Sequence, residues 1–133
     1  MVSLAAPRRW RVTERARATL IRSPDRTQAV TLVADRSPAG RETPAADYAR
    51  DTLTALPGFE GSVDPNPRRV RGSPYPSSQV EGRGRLARSR GEQLITVAAF
   101  HRAGRVTYAV VAFRQRQTPP VTLNRMLATV RGG

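Results

Sequence analysis

The sequence predicts an α+β domain in which an antiparallel sheet is covered by two helices, as an α/β/α sandwich. Three observations lead to this fold class: a long hairpin that is apolar on both faces, two segments with helical spacing of apolar residues, and a length suited to one domain. The chain has 133 residues, enough to bury roughly two-thirds of its unfolded surface. We therefore expect a single domain over residues 8–131, after an unstructured lead-in over residues 1–7.

The most apolar segment, residues 93–115, is predicted to form the central hairpin. Its strands meet at a two-residue tip made of Ala103 and Gly104, a register that pairs Val97 with Val110. Both faces of the hairpin are apolar, whereas a sheet with one solvated face alternates apolar and polar residues. We therefore expect cover on both sides. A one-sided arrangement, with a loop or a partner protein over the second face, is the alternative.

Shorter strands are predicted on either side of this hairpin. They cover residues 8–13, 18–22, 28–34, 68–72 and 80–90. Pro24 occupies a favoured position in the turn that joins the second strand to the third. Trp10, on the opening strand, is expected to belong to the core. Residues 35–42 are predicted to be a polar loop.

Two helices complete the prediction. Thr43 as N-cap and Pro44 at the first helical position begin the first helix, and Pro57 ends it. Thr118 is predicted to cap the second helix, whose apolar stripe includes Met126. One helix over each face of the sheet gives the sandwich.

The charge of the chain limits the classes of partner. The formal net charge is +13, carried by 23 arginines and no lysine. A field of this size attracts anions such as nucleic acid, anionic lipid or an acidic protein face. The absence of cysteine excludes disulfides, thiol nucleophiles and thiolate metal sites. No apolar run approaches the roughly 20 residues of a membrane span.

The residues indicate no enzyme: no catalytic, metal-binding or cofactor-binding set is predicted. His101 is the only histidine and is expected to be structural or exposed, because a triad or metal centre needs partners for it. The carboxylates are scattered, and Asp47 is expected to pair with Arg50. Gly82 and Gly84 are not a phosphate loop, because no strand-to-helix transition follows them.

Arginines beside a proline-rich loop and along one strand are the candidate partner-binding residues. The first group precedes the loop at residues 73–78, and a stiff loop with an aromatic residue suits recognition because less entropy is lost on binding. The second group alternates along the strand at residues 80–90. The candidates are Arg68, Arg69, Arg71, Tyr75, Arg83, Arg85, Arg88 and Arg90.

Several short motifs, taken in order, resemble a known superfamily. They are a strand–SPD–strand hairpin, a TPAADYA helix, an LPGF loop, the stretch RGSPYPSSQVEG and a final MLATVR helix. This succession resembles the PsbP-like superfamily of small α/β/α domains, and most of all its actinobacterial LpqN-type lipoproteins, over roughly residues 8–131. The resemblance implies a PsbP-like sandwich without catalytic residues or cofactor. It also implies an exported, tethered module that contacts other proteins or envelope components.

The sequence thus favours a non-catalytic protein-interaction module that belongs to the bacterial cell envelope or is secretion-associated, with a protein or an acidic envelope component as partner. A cytosolic arginine-rich nucleic-acid-binding protein is the alternative, although the few aromatic residues are mostly assigned to the core rather than to stacking on bases. A small-ligand carrier with a pocket between helix and sheet is a weaker alternative. The expected location is the envelope or cell exterior if a leader has been removed, and the cytoplasm otherwise.

Overall fold

Seven antiparallel strands form the central sheet of the protein. The computed structural model describes residues 2–87, 91–102 and 104–132. Its strands are β1 (Val2–Ser3), β2 (Arg11–Glu14), β3 (Thr19–Arg22), β4 (Gln28–Asp35), β5 (Glu60–Val63), β6 (Ser77–Arg85), β7 (Gln93–Arg102), β8 (Val106–Gln115) and β9 (Arg131–Gly132), and its helices are α1 (Pro38–Glu42), α2 (Ala45–Thr54) and α3 (Val121–Leu127). The sheet has the order β2-β3-β4-β8-β7-β6-β5, and β1 pairs separately with β9.

One of the two longer helices lies on each face of the sheet. Leu127 of α3 packs in a cluster with Phe100 and Tyr108. Leu53 of α2 packs in a second cluster, on the opposite face, with Val97. We call these faces the α3 side and the α2 side. The predicted α+β class, with an antiparallel sheet between two helices, is confirmed.

The central hairpin pairs one residue away from the predicted register. Val97 lies opposite Val111 rather than Val110. Because side chains alternate along a strand, this shift exchanges the two faces of β8 relative to β7. The even-numbered residues of both strands therefore share the α3 side, and the odd-numbered residues share the α2 side.

A longer loop causes the difference in register. The ladder closes at Arg102 and Val106, so that three residues rather than two connect the strands. Gly104 has a φ of 69°, a conformation that glycine adopts without steric cost. The amide of Arg105 donates to the carbonyl of Arg102 at 2.9 Å across the loop. Ala103, predicted to form the tip with Gly104, lies outside the described residues.

The predicted cap of the first long helix is wrong. Thr43 ends α1 instead, where its hydroxyl donates to the carbonyl of Ala39 at 2.6 Å. Pro44 then occupies the cap position of α2 without a side-chain hydrogen bond. Helix α1 replaces part of the predicted loop at residues 35–42, because the Ser37 hydroxyl caps it by accepting from the amide of Gly40 at 3.0 Å.

Thr118 does not cap the second long helix either. Its amide donates to the carbonyl of Gln115 at 2.9 Å, so the residue belongs to a turn before α3. Pro120 occupies the cap position, without a side-chain hydrogen bond. Pro119 and Pro120 separate this turn from the first residue of the helix, Val121. Thr118 therefore lies too far from the helix start to cap it.

The chain ends meet in β1 and β9, in contrast to the predicted lead-in. Val2 lies opposite Gly132, and the amide of Ala5 donates to Thr129 Oγ1 at 2.8 Å. Only glycine fits at position 132, because a Cβ there would collide with the Tyr108 hydroxyl. Trp10, predicted as a core residue of the opening strand, lies just before β2 and is partly buried against the α3-side cluster.

Glycines on β6 allow close packing on the α2 side. A Cβ at Gly82 would come within 2.9 Å of both terminal methyl carbons of Leu53. A Cβ at Gly84 would collide with the carbonyl of Glu60 in β5. These glycines therefore let α2 and β5 approach β6 closely, and both lie within the strand.

Hydrogen-bonded polar residues join the helices to the sheet beside α1. The Thr107 hydroxyl is buried, donates to the carbonyl of Gly40 at 2.7 Å and lies 2.9 Å from His101 Nδ1. A hydroxyl has one proton, so the Nδ1 of His101 is the donor to Thr107. Nearby, the Tyr48 hydroxyl donates to Asp35 at 2.7 Å and ties α2 to β4.

The contact between Tyr48 and Asp35 affects the pKa of both side chains. Burial alone would raise the pKa of Asp35, but hydrogen bonds from Ser37 and Tyr48 outweigh it and hold the pKa below its ordinary value. Burial, followed by the hydrogen bond to Asp35, raises the pKa of Tyr48 well above its usual range. The contact therefore favours a charged carboxylate beside a neutral phenol.

Replacing Val97 by Asp should prevent folding, because Val97 is 0 % exposed and the new carboxylate would be buried without a partner. Val12, which is 52 % exposed on the edge strand β2, is the matched control, and Val12→Asp should fold. Circular dichroism and thermal unfolding of both variants check this. A cooperatively folded Val97→Asp variant would contradict the burial of β7 on the α2 side.

Replacing Tyr48 by Phe should lower the free energy of unfolding by about 1.5 kcal/mol at pH 7, the low end for a hydrogen bond to a charged group, because both side chains are only partly buried. The pKa of Asp35 is lower in the folded state than in the unfolded state, where it is about 3.9. The stabilisation is therefore fully present above the pKa of the unfolded state, and it is lost as the pH falls through the pKa of the folded state. Urea titrations at pH 7 and pH 3 measure the difference. An equal difference at both pH values would contradict the role of the carboxylate.

Candidate functional site

The predicted arginines separate into two groups. Arg83 and Arg85 lie exposed on β6, near the edge of the sheet. Arg83 forms an ion pair with Glu92 across the end of the β6–β7 hairpin. Arg88 and Arg90 lie outside the described residues.

The other group sits on a segment that passes beside α3. Residues 68–72 do not form the predicted edge strand; Arg68 and Gln79 form an isolated bridge, with amide–carbonyl distances of 2.9 and 2.7 Å. Val70 then leaves the ladder and buries its side chain in the α3-side cluster, where it is 2 % exposed. Gly72, with a φ of 81°, turns the chain, so only one bridge forms.

This segment borders an open groove of about 730 Å³, which we call the arginine groove. Its lining residues are Arg68, Arg69, Val70, Arg71, Gln79 and Asn124. Arg68 also contacts Glu81 just outside the lining, with 2.9 Å between Nη2 and Oε1. The three arginines of the first predicted group therefore line one groove, and the pair on β6 is not among its lining residues.

Tyr75, a predicted partner-binding residue, contacts the core. Its ring is partly buried and meets Tyr108 edge to face, with 5.7 Å between ring centroids. Its hydroxyl accepts a hydrogen bond from the amide of Gly132 at 2.9 Å. The side chain thus joins the proline-rich loop and β9 to the core.

The sequence analysis missed a second surface, on the α2 side. Helix α2 packs on β6 and β7, and beyond them the sheet continues through β8, β4, β3 and β2. On β4, Val30 and Leu32 of the α3 side are 2 % and 1 % exposed, whereas Thr31 and Val33 of the α2 side are partly exposed. The cover on this side is therefore incomplete.

We call this surface the open half of the sheet. Its apolar and small residues are Leu20, Ala29, Thr31, Val33, Val111 and Phe113, all partly exposed. Arg22 lies opposite Ala29 and also opposite Arg11 of the edge strand, so this pair of exposed arginines borders the open half. The sequence did not reveal this surface, because apolar residues on both faces of β4 and β8 are expected whether a helix of the same chain or a partner covers them.

The described residues contain no group of three or more histidine, cysteine, aspartate or glutamate side chains that could hold a metal ion. Within the same residues, no helix has the length and apolarity to cross a membrane. The ring of His101, the single histidine, is hydrogen bonded to Thr107.

Comparison with known proteins shows the fold. No protein-family model and no curated protein matches the chain. A crystal structure from Bacteroides thetaiotaomicron VPI-5482 superposes with a TM-score of 0.66 and 11 % identity; the match covers 99 % of this chain and 45 % of that one. The chain thus spans less than half the length of that protein. LpqN of Mycobacterium tuberculosis, a protein involved in cell envelope biogenesis, superposes with a TM-score of 0.53 and 23 % identity, over 98 % of this chain and 83 % of that one.

Replacing Tyr75 by Ala should lower the free energy of unfolding by about 2 kcal/mol, less than the roughly 3–5 kcal/mol of a fully buried aromatic. Tyr75→Phe is the matched control, which keeps the ring and loses only the hydrogen bond to Gly132, about 1 kcal/mol. Denaturant unfolding of the three proteins measures both values. A Tyr75→Ala variant as stable as the wild type would show that this side chain is not part of the core and would return it to the recognition surface.

Proposed function

We propose that the protein is a non-catalytic protein-interaction module of the bacterial cell envelope, which binds an acidic partner segment on the open half of its sheet. The observation that carries this proposal is the partly exposed apolar face of β3, β4 and β8 beside α2, with Arg11 and Thr13 of β2 at its border. Contiguous exposed apolar surface rimmed by polar residues is typical of an interaction site.

The dimensions of the open half suit a helix. Neighbouring strands lie about 4.8 Å apart, so four strands span about 14 Å from the first to the last. A helix with its side chains is about 10–12 Å wide. A partner helix on the open half would lie beside α2 and extend the same layer of the sandwich.

Charge favours a partner of opposite sign over a second copy of the chain. A net charge of +13 on each molecule opposes association of two copies through their open halves. The exposed pair Arg11 and Arg22 lies at the border of the face. An amphipathic segment with apolar residues toward Leu20 and Phe113, and carboxylates toward these arginines, complements the surface.

The chemistry of the described residues supports a binding role. Nδ1 of His101 is directed at Thr107, whose hydroxyl in turn holds the carbonyl of Gly40. On the side where α2 packs, Leu53 and Val97 are 0 % exposed, so helix and sheet are in close contact at these residues. Location at the envelope rests on the similarity to LpqN, whose involvement in cell envelope biogenesis supports the same setting here.

Site-specific photo-crosslinking tests the proposal. A benzoylphenylalanine replaces Thr31 at the centre of the open half, and the protein is mixed with a nuclease-treated envelope fraction at ~0.15 M salt, where screening acts beyond about 8 Å. We expect a discrete protein adduct that disappears when Arg11 and Arg22 are replaced by Ser. The adduct is identified by mass spectrometry, and its partner segment is expected to be acidic and amphipathic.

The matched control carries the photo-crosslinker at Val12. This residue lies opposite Ile21, a residue of the α3-side cluster, and is exposed on the other face of the same sheet edge. Equal adducts from both positions would contradict docking on the open half. Binding that appears with an untreated envelope fraction and is absent after nuclease treatment would favour the nucleic-acid function, because phosphate-driven binding does not need the apolar face.

A further inference from the structure

The arginine groove lies on the α3 side, on the opposite face of the sheet from the open half. Its floor is Val70, which packs among the α3-side residues, and its wall includes Asn124 of α3. A role for this groove therefore does not depend on the proposed protein partner.

The backbone that carries the three arginines is fixed at two points. Arg68 exchanges two hydrogen bonds with Gln79 of β6. The amide of Val70 donates to the Ser77 hydroxyl at 3.2 Å, and its side chain is buried. A fixed backbone loses little freedom when a ligand binds, which favours affinity.

The charges around the groove are unevenly compensated. Arg68 contacts Glu81 at 2.9 Å, and the other ion pairs in the part of the chain that the structure describes join Arg50 to Asp47 and Arg83 to Glu92. None of them involves the two remaining arginines of the groove. Like charges held near one another repel, and an anion between them removes this repulsion.

The groups that line the groove select an oxyanion. Guanidinium groups only donate hydrogen bonds, and their planar fork matches the oxygens of phosphate. The amides of Gln79 and Asn124 add neutral donors, and no carboxylate is among the lining residues. The volume of about 730 Å³ falls in the range of small-molecule sites, about 300–1,000 Å³, and a lone phosphate would leave most of it unfilled.

We propose that the arginine groove binds a ligand with two or more linked phosphate groups. Arg69 and Arg71 hold its phosphates, and the Gln79 and Asn124 amides donate to its remaining oxygens. The same chemistry is offered by a phosphorylated small molecule and by phosphates at a lipid surface, so the test includes a probe for each source.

Isothermal titration calorimetry at ~0.15 M salt, with inorganic pyrophosphate and tripolyphosphate as probes, tests the site. The double variant Arg69→Gln/Arg71→Gln removes two guanidinium groups and keeps side chains of similar polarity. We expect its affinity for both probes to fall at least about tenfold, because the charge-assisted hydrogen bonds of two guanidinium groups are lost.

The matched control is Arg15→Gln/Arg17→Gln, which removes the same charge with the same spacing from two exposed arginines of the β2–β3 turn. Its affinity should stay within about twofold of wild type if the site is specific, since distant exposed charges are screened. An equal loss in both double variants would overturn the proposal and show general attraction of anions. Failure of the wild-type protein to bind either probe would overturn it as well.

Vesicles distinguish the source of the phosphate. Phosphatidylcholine vesicles with and without phosphatidic acid are sedimented with the wild-type protein and with both double variants. A lipid source is supported if the protein binds the anionic vesicles, pyrophosphate inhibits this binding, and Arg69→Gln/Arg71→Gln weakens it. Pyrophosphate binding without vesicle binding supports a phosphorylated small molecule. Vesicle binding that neither pyrophosphate nor this double variant affects would contradict the groove as the site.

Discussion

The pairing of β7 with β8 is the constraint on which the rest of the structure depends. Val97 and Phe100 project to opposite faces of this hairpin, and both are 0 % exposed. A strand that is apolar on both faces loses its stabilisation if either face meets water. Each face therefore requires its own cover, which α2 and α3 provide, and the register of the pair decides which β8 side chains each helix meets.

The width of the sheet explains why its cover is unequal. Seven strands at about 4.8 Å span about 29 Å, more than twice the width of a helix. On the α3 side, Val70, Tyr75, Trp10 and the terminal strands add to the helix and extend the core across the sheet. On the α2 side the core gathers over β6 and β7, so β4 and β3 remain partly exposed there. The open half follows from this difference in the number of covering segments.

Much of the fold was predictable because its signals are local. The apolar run of residues 93–115 and the periodic segments that became α2 and α3 identified the layers.

The register was not predictable, since two- and three-residue loops both suit a hairpin that contains Gly104. The predicted cap at Thr43 was wrong because α1 precedes α2 immediately, and this threonine caps the C-terminal end of α1. For the arginine groove, only the arginines could be grouped from the sequence, because they are close together along the chain. Gln79 and Asn124 join them only through tertiary packing.

The two candidate surfaces place different chemistry on the two faces of one sheet. The open half offers apolar side chains with arginines at its border, whereas the arginine groove offers hydrogen-bond donors around a single buried valine. The core of the sheet lies between them, and close-packed cores resist small displacements, so occupation of one face need not deform the other. A rigid domain with such faces is suited to hold a protein segment on one side and a phosphate-bearing component on the other. Together, the two proposals assign arginines to both faces: to the border of the protein-binding surface and to the groove that binds phosphate.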